Sequence, residues 1–266
     1  MTKKPAKLEM IASVTAQFCE NYGLKQGFNH VDFDHFIEEA TPHMFLRQRE
    51  WQDNCDNGTD GEGKELPRGD KYGRQLLPYV PVNQRGADGQ KRMCTYRRLK
   101  GNGEARMVGD VSAGFGGHAD KADVLAPTVH PQGLVVDNLG SIPDWAATIM
   151  ANAHREVGKE ELRFWATLNG EMYLVNPTTH PEFFQWKFEG LIIDNSNDVG
   201  WLHLGIVVSC LVHPDIRITS GEADKLELMA PMTPRELLDA DLPREPWTTI
   251  LAEYLADEPY RADPLV

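Results

Sequence analysis

Apolar residues recur along this chain in two rhythms, one near the 3.6-residue period of a helix and one near the two-residue period of a strand. Leu8, Ile11, Ala12, Val14, Ala16, Phe18 and Cys19 are spaced for an amphipathic helix over residues 6–22, which Gly23 stops. From Gln75 the rhythm turns β-type. Leu76-Leu77-Pro78-Tyr79-Val80-Pro81-Val82 and Met93-Cys94-Thr95-Tyr96-Arg97 flank the polar turn Arg85-Gly86-Ala87-Asp88-Gly89 and predict a hairpin. Pro78 and Pro81 make its first strand an edge strand or an irregular one, because proline brings no N–H to a ladder. The stretch from Val111 to His118 reads as a strand end whose Gly114, Gly116 and Gly117 permit close backbone approach and positive φ. The most regular stripe is Ile142, Trp145, Ala146, Ile149, Ala153 and Val157. It predicts a helix opened by Ser141 as N-cap, with Asp144 in the capping-box position and Asn152, Arg155, Glu156, Lys159 and Glu160 on polar positions. Strands follow at residues 162–168, 186–193, 202–212 and 225–229. Two more helices start at Thr233-Pro234-Arg235-Glu236 and Arg244-Glu245-Pro246-Trp247. Strands and helices interleaved in this way predict an α/β fold, a mixed sheet with helices packed on it.

Between Asp53 and Gly73, Gly58, Gly61, Gly63 and Gly69 stand among acids with little apolar content. This surface loop divides an N-terminal extension, residues 1–74, from a main domain, residues 75–266. Residues 119–140, with Pro127 and the turn signal Pro131-Gln132-Gly133, read as an insertion with room for a short strand at Leu134-Val135-Val136. The 266 residues, 41% hydrophobic and 25% charged, suffice for one large domain with decorations. Lys and Arg number 27 against 40 Asp and Glu, a net charge of −13, which repels nucleic acid and anionic lipid; a phosphate ligand needs a local basic patch or a metal. No stretch reaches the roughly eighteen apolar residues of a membrane span. Met1-Thr2-Lys3-Lys4-Pro5 precedes no secretory apolar core, so a soluble, cytoplasmic protein is expected. Cys19, Cys55, Cys94 and Cys210 lie far apart without a Cys-x-x-Cys, which suits reduced structural thiols rather than a disulfide framework or a zinc cluster.

Glu156 and Glu160 stand four apart on the predicted helix, so both carboxylates leave one face about a turn apart, whereas Glu161 points elsewhere. Such a pair suits a hard divalent cation, magnesium or manganese. The alternative is a solvated helix end on which Arg155 and Lys159 pair with neighbouring carboxylates. Arg97, Arg98, Lys100 and Arg106 are the densest basic group of the main domain and could clamp phosphates or occupy an exposed strand and turn. Strand alternation sends Arg97 and Arg98 to opposite faces. Gly116, Gly117 and His118 suit a backbone that passes close to a ligand. His118 has a structural and a participating reading, and His203, between Leu202 and Leu204, faces a polar pocket or solvent. Trp186, Trp201 and Phe115 offer faces for stacking a base, although aromatic strand residues are usually core. A serine–histidine–acid order, a P-loop and a dinucleotide-binding motif are all absent from the sequence.

Arg155-Glu156-Val157-Gly158-Lys159-Glu160 resembles the Arg-Glu-apolar-x-Glu-Glu core of the Nudix box. Further segments are similar, in order, to a phosphoesterase-like branch of the Nudix superfamily. They are Gln75-Leu76-Leu77-Pro78-Tyr79-Val80, Tyr96-Arg97-Arg98, Gly103-Glu104-Ala105-Arg106, Gly114-Phe115-Gly116-Gly117-His118, Val199-Gly200-Trp201-Leu202-His203-Leu204-Gly205 and Glu245-Pro246-Trp247. The resemblance implies a Nudix-like α/β/α sandwich. It also implies a magnesium- or manganese-dependent hydrolase cleaving a phosphoanhydride in a nucleoside diphosphate linked to another group, or in a related nucleotide. On this reading Arg155, Glu156 and Glu160 are the catalytic residues, with Glu156 and Glu160 as metal ligands. Arg97, Arg98, Arg106, Gly116, Gly117, His118 and His203 are the candidate substrate-binding residues, and Glu161 or a carboxylate from another loop is the candidate base. A homodimer is the assembly that the resemblance implies. The box is degenerate and split: Gly117 stands 38 residues before Arg155, an insertion of about 24, and the glutamate expected in that interval has no clear counterpart. Lys159 takes the place of the first paired glutamate, an auxiliary ligand in the family, and Leu162 that of the later glycine. These departures support a second reading, a catalytically degenerate Nudix-fold module that binds a nucleotide or a protein partner.

Overall fold

The structure, a computed structural model, describes residues 10–48, 73–99, 107–125 and 143–257. Its elements in chain order begin with β1 (Met10–Val14), α1 (Ala16–Asn21), β2 (Gly27–Asn29), α2 (Phe33–Ala40), β3 (Met44–Gln48), β4 (Arg74–Tyr79), β5 (Val82–Arg85), β6 (Lys91–Met93), β7 (Tyr96–Arg98) and β8 (Val111–Ser112). Next come α3 (Trp145–Arg155), continued by a π-helical turn (Glu156–Glu161), then β9 (Leu162–Leu168), β10 (Glu171–Val175), β11 (Phe184–Ile193), α4 (Asp198–Leu202) and β12 (His203–Val212). The described chain closes with β13 (Arg217–Ser220), β14 (Leu226–Leu228), α5 (Pro234–Asp239) and α6 (Pro246–Asp257). The fold is of the α/β class, a mixed sheet with flanking helices, as the interleaved pattern predicts. The chain divides into two compact units, residues 1–78, 118–152 and 193–205 in one and residues 79–117, 153–192 and 206–266 in the other.

In the first unit β1 runs antiparallel to both β3 and β4, with Val14 opposite Met44 on one side and Arg74 on the other. This strand replaces the first half of the helix expected over residues 6–22. Ile11, Ala12, Ser13 and Val14 are all fully buried, and a short run buried on both faces has no period to tell strand from helix. The helix begins only at Ala16, where Thr15 Oγ1 accepts the Phe18 N–H, and ends before Gly23, whose φ is +81°. Helix α2, which the apolar pattern did not single out, is capped by Asp32 and buries Phe36 against Phe18 and Tyr22. Helix α3 opens on Asp144 itself, whose Oδ1 accepts the Ala147 N–H at 2.9 Å; Asp144 is thus the N-cap and not the capping-box partner three residues after one, and Ser141 lies outside the described residues. The predicted stripe of Trp145, Ile149, Ala153 and Val157 is buried. Asn152, assigned to the polar face, is also fully buried, because its Nδ2 donates to the His118 carbonyl at 2.9 Å and to Asp123 Oδ2 at 3.0 Å.

Gln75, fully buried on β4, has neither amide atom hydrogen-bonded. A buried polar group left unsatisfied costs about 1–3 kcal/mol. Gln75→Met, close in shape and without the amide, is therefore expected to raise stability by about 1 kcal/mol or more, read as a higher urea midpoint at unchanged slope. A lower midpoint would mean that the amide is bonded in solution.

In the second unit β5 and β6 form the expected hairpin, with Asn83 opposite Met93 and Arg85 opposite Lys91, closed through Gly89 at φ +77°. The run expected as one strand breaks at Val80-Pro81 into β4 and β5, the irregularity its prolines predict. β5 pairs in parallel with β12, Val82 opposite Cys210, while β12 neighbours β11, so this sheet is mixed. Two three-stranded sheets, β10-β9-β13 and β14-β7-β8, complete the unit. Val80, Phe115, Val157, Leu162, Phe164 and Cys210 form its fully buried centre. After β8 the glycine segment exchanges backbone hydrogen bonds between Phe115 and Val80 at 2.8 and 2.9 Å. Its glycines serve close approach and not the positive φ that was also expected: Gly114, Gly116 and Gly117 are all outside the left-handed region, and a Cβ on Gly114 would collide with the Tyr79 ring. Thr233 and Glu236 close a capping box on α5 around Pro234, as the sequence predicts.

Cys19, Cys94 and Cys210 are buried free thiols. Burial pushes Cys19 up to about 11 and Cys94 up to about 12, which leaves both unreactive. Cys55, the glycine-rich loop up to residue 72 and residues 126–142, including the short strand expected at Leu134-Val135-Val136, lie outside the described residues. Among the described residues no helix is long and apolar enough to cross a membrane.

Candidate functional site

At Glu156 the helix changes pitch. In an α-helix residues four apart share a face, but over Glu156–Glu161 the backbone makes a π turn, and the fifth residue comes round instead. Glu156 and Glu161 are 7% and 8% exposed, while Lys159 and Glu160 face solvent. The expectation that Glu161 points away is thereby corrected: Glu161 is the carboxylate that joins Glu156 in the interior. Glu160 stays within reach at the surface, because Arg155 Nη1 holds Glu156 Oε1 at 2.8 Å and Glu160 Oε1 at 2.6 Å. The structure thus brings Arg155, Glu156 and Glu160 together, through the very arginine–carboxylate pairing that the solvated-helix alternative describes.

A π turn accommodates one residue more than an α turn. The motif core that this segment resembles has one residue between its apolar position and its paired glutamates; here Gly158 and Lys159 both stand between Val157 and Glu160-Glu161, within the π turn. Gly158 fits because a Cβ there would lie 2.6 Å from Pro177 Cδ. Counting that surplus residue was the one sequence signal that could have found Glu161.

Both buried carboxylates lie against the Gly116-Gly117 backbone. The Gly116 N–H donates to Glu161 Oε2 at 2.9 Å. A Cβ on Gly117 would come within 2.8 Å of Glu156 Cδ, so the position requires empty space rather than an unusual φ. Burial holds the Glu161 carboxyl well above the usual carboxylate range, and the charge of Glu156 pushes the same way; Arg98 and the Gly116 N–H offset this only in part. Two carboxylates sharing a buried space favour a proton or a cation between them. The donors are hard oxygens, which suit magnesium or manganese. Among the described residues no cluster of three or more His, Cys, Asp or Glu side chains is gathered to hold a metal, so the protein would supply a carboxylate pair and leave the rest of the shell to water and ligand.

The arginines of β7 separate as alternation predicts. Arg97 pairs across the ladder with Glu227, Nη1 to Oε2 at 3.7 Å, both ends exposed. Arg98 turns inward: Nε donates to Glu245 Oε1 at 2.5 Å and Nη2 to the Tyr96 hydroxyl at 3.2 Å. Tyr96 donates in turn to the Gly114 carbonyl at 3.1 Å. Arg98 therefore braces the glycine segment from behind, and it is the cation whose field reaches Glu161. Lys100 and Arg106 lie outside the described residues.

In the first unit the rings of His118 and His203 face each other, Nε2 to Nε2 at 3.1 Å. His203 is buried, so of its two expected surroundings it has the polar interior. The candidate stacking aromatics have protein partners. Phe115 packs on Tyr96 at 4.9 Å between ring centres and Trp186 on His154 at 4.6 Å, while the Arg74 guanidinium sits 5.0 Å from the Trp201 ring centre.

No family profile matches the chain. Protein YmaB of Bacillus subtilis (strain 168) is 26% identical over 166 residues, a match spanning 62% of this chain and 61% of that protein, less than two thirds of its length. The crystal structure of Tm1382, a candidate Nudix hydrolase, superposes with a TM-score of 0.59 at 20% identity, covering 93% of this chain and 98% of that one. A Nudix hydrolase from Alicyclobacillus acidocaldarius matches with a TM-score of 0.37 at 14% identity over 68% of this chain and 90% of its own, too loosely to carry an argument. The likeness to Tm1382 concerns the fold, and that fold is Nudix-like.

Proposed function

We propose that this chain of Nudix-like fold is a divalent-metal-dependent hydrolase of a phosphoanhydride bond, in a nucleoside diphosphate linked to another group or in a related nucleotide. The observation that carries the reading is the buried Glu156–Glu161 pair on its π turn, seated against Gly116-Gly117. Nudix hydrolases generally use divalent metals. Here Glu156 and Glu161, with Glu160 at the rim, would hold magnesium or manganese, which when bound polarises phosphate oxygens and lowers the pKa of attacking water. The π turn supports matching Glu160-Glu161 to the paired glutamates of the box, with Lys159 as the surplus residue and not as a replaced ligand. The remaining work falls to the chain itself. Arg155 fixes Glu156 and Glu160 relative to each other, the Gly116 N–H orients Glu161, and Gly117 leaves the volume that the Glu156 carboxylate fills. A net charge of −13 makes a cation the natural intermediary for a polyphosphate. A homodimeric assembly and a cytoplasmic location belong to the same proposal.

A second reading, a module that binds nucleotide without cleaving it, draws on Arg155, which already neutralises part of the charge of Glu156 and Glu160. The test is product release from nucleoside triphosphates, dinucleoside polyphosphates, ADP-ribose and NAD, with magnesium, with manganese and with chelator. Cleavage that chelator abolishes and excess metal restores is the expected result. Ligand binding that ignores metal, with no product after prolonged incubation, would move the assignment to the second reading.

A further inference from the structure

We propose that β10 pairs antiparallel with the β10 of a second copy of this chain, about a two-fold axis at Tyr173, so that the free edge of one small sheet is the contact between subunits. The inference stands apart from the carboxylate chemistry. Strand β10 (Glu171–Val175) ends the sheet β10-β9-β13, and among the described residues its one ladder neighbour is β9. Sheet edges are commonly blunted by lysine, proline or a bulge. This one reads Glu171-Met172-Tyr173-Leu174-Val175, with a single charge at its first position, and it pairs residue for residue with β9 throughout. Met172 and Leu174 share a face and are 50% and 49% exposed, an apolar pair on an open strand.

The turn before β10 fixes which backbone groups that edge offers. Asn169 and Gly170 have φ of +53° and +83°, as a two-residue type I′ turn requires. Such a turn closes on a hydrogen-bonded pair, here Leu168 opposite Glu171. Bonded and non-bonded pairs then alternate, so Tyr173 and Val175 also bond to β9, while the N–H and C=O of Met172 and Leu174 point to the open edge. A second β10 laid antiparallel about Tyr173 sets Met172 opposite the partner's Leu174, and Leu174 opposite the partner's Met172. Each of these pairs exchanges two N–H···O=C bonds, so one register satisfies every free group, and the two tyrosines meet as the non-bonded pair between them. A one-residue slip would set Met172 against Tyr173, whose backbone groups are already taken, and would turn every side chain to the other face. The same register suits a chain of net charge −13, because it opposes no acid to an acid. The two Glu171 residues stand roughly 14 Å apart along the paired strands, beyond the Debye length of about 8 Å at physiological salt. Five residues of strand fall short of the roughly 1,200 Å² of a standard interface, so a dissociation constant on the order of 10 μM is expected.

The test is sedimentation velocity of the full chain from about 1 to 100 μM, comparing wild type with Met172→Pro and Leu174→Lys. Proline at 172 removes an outward N–H and no bond to β9, lysine at 174 places a charge on the edge, and melting temperatures confirm that both variants fold. Wild type should shift from monomer to dimer across this range, and either variant should dimerise at least about tenfold more weakly. Disulfide trapping reads the register. Tyr173→Cys brings two thiols to the two-fold axis, where opposed Cβ atoms lie about 4.5–5.5 Å apart, and should cross-link far faster than Met172→Cys, whose thiols are offset by two residues; wild type controls for the native cysteines. A wild type monomeric throughout would overturn the proposal and leave the edge to a segment of the same chain or to another protein. A dimer indifferent to both edge substitutions, or cross-linking no faster in Tyr173→Cys than in Met172→Cys, would overturn it as well.

Discussion

Gly117→Ala is expected to lower turnover by about 100-fold while leaving the melting temperature within a few degrees of wild type. The added methyl would fall inside the contact distance of the Glu156 carboxylate, 2.8 Å from Cδ and closer still to Oε1. What must yield is the end of a flexible side chain rather than backbone, and the φ of Gly117 is one that alanine adopts readily. The fold therefore loses little, while the carboxylate shifts by about 1 Å, a displacement that can cost on the order of 100-fold in rate. Glu156→Gln keeps the shape and removes the charge; it should abolish at least as much activity, again without unfolding the protein. Unchanged turnover in Gly117→Ala would show that the position of Glu156 does not govern the reaction. A collapse of stability would place the role of Gly117 in packing.

Glu161→Gln is expected to make the metal-free protein more stable at pH 8 and its stability flatter with pH, while removing most activity. The folded-state pKa of Glu161 is raised, first by burial and then by Glu156. A raised carboxyl contributes stability that is fully present below the unfolded-state pKa and is lost as pH climbs through the folded one. Metal-free wild type should therefore weaken from about pH 5 upward, as the unfolded chain gives up a proton that the folded one keeps. Glutamine copies the neutral form and can still accept the Gly116 N–H, so the variant should exceed wild type at pH 8 by on the order of 1–3 kcal/mol. Urea midpoints in chelator between pH 5 and 8 measure this directly. Parallel curves for the two proteins would mean that Glu161 titrates normally and that the buried pair is not a strained one.

Elements whose signals are local can be read from the amino-acid order alone. β9 occupies residues 162–168 as predicted, α5 carries its Thr233–Glu236 capping box, and the β5–β6 hairpin surrounds the polar turn between them. Periodicity, caps and turn residues act within a few positions, so they can be read without knowing the fold. The same locality placed Arg155, Glu156 and Glu160 on one helix end and put glycines where backbone and carboxylate meet. The remaining features depend on how distant segments pack. β1 looked helical because burial on both faces erases the period that marks a strand. Glu161 lies on the opposite side from the one that α-helical spacing predicts, because the surplus residue shows in the sequence only as a count, and the π turn that absorbs it forms where the helix end packs on Gly116. Arg98 finds Glu245 across 147 positions and His118 finds His203 across 85. Such pairings are fixed when distant segments pack, at a loop-closure cost that packing of the whole core offsets, so a local pattern carries no trace of them.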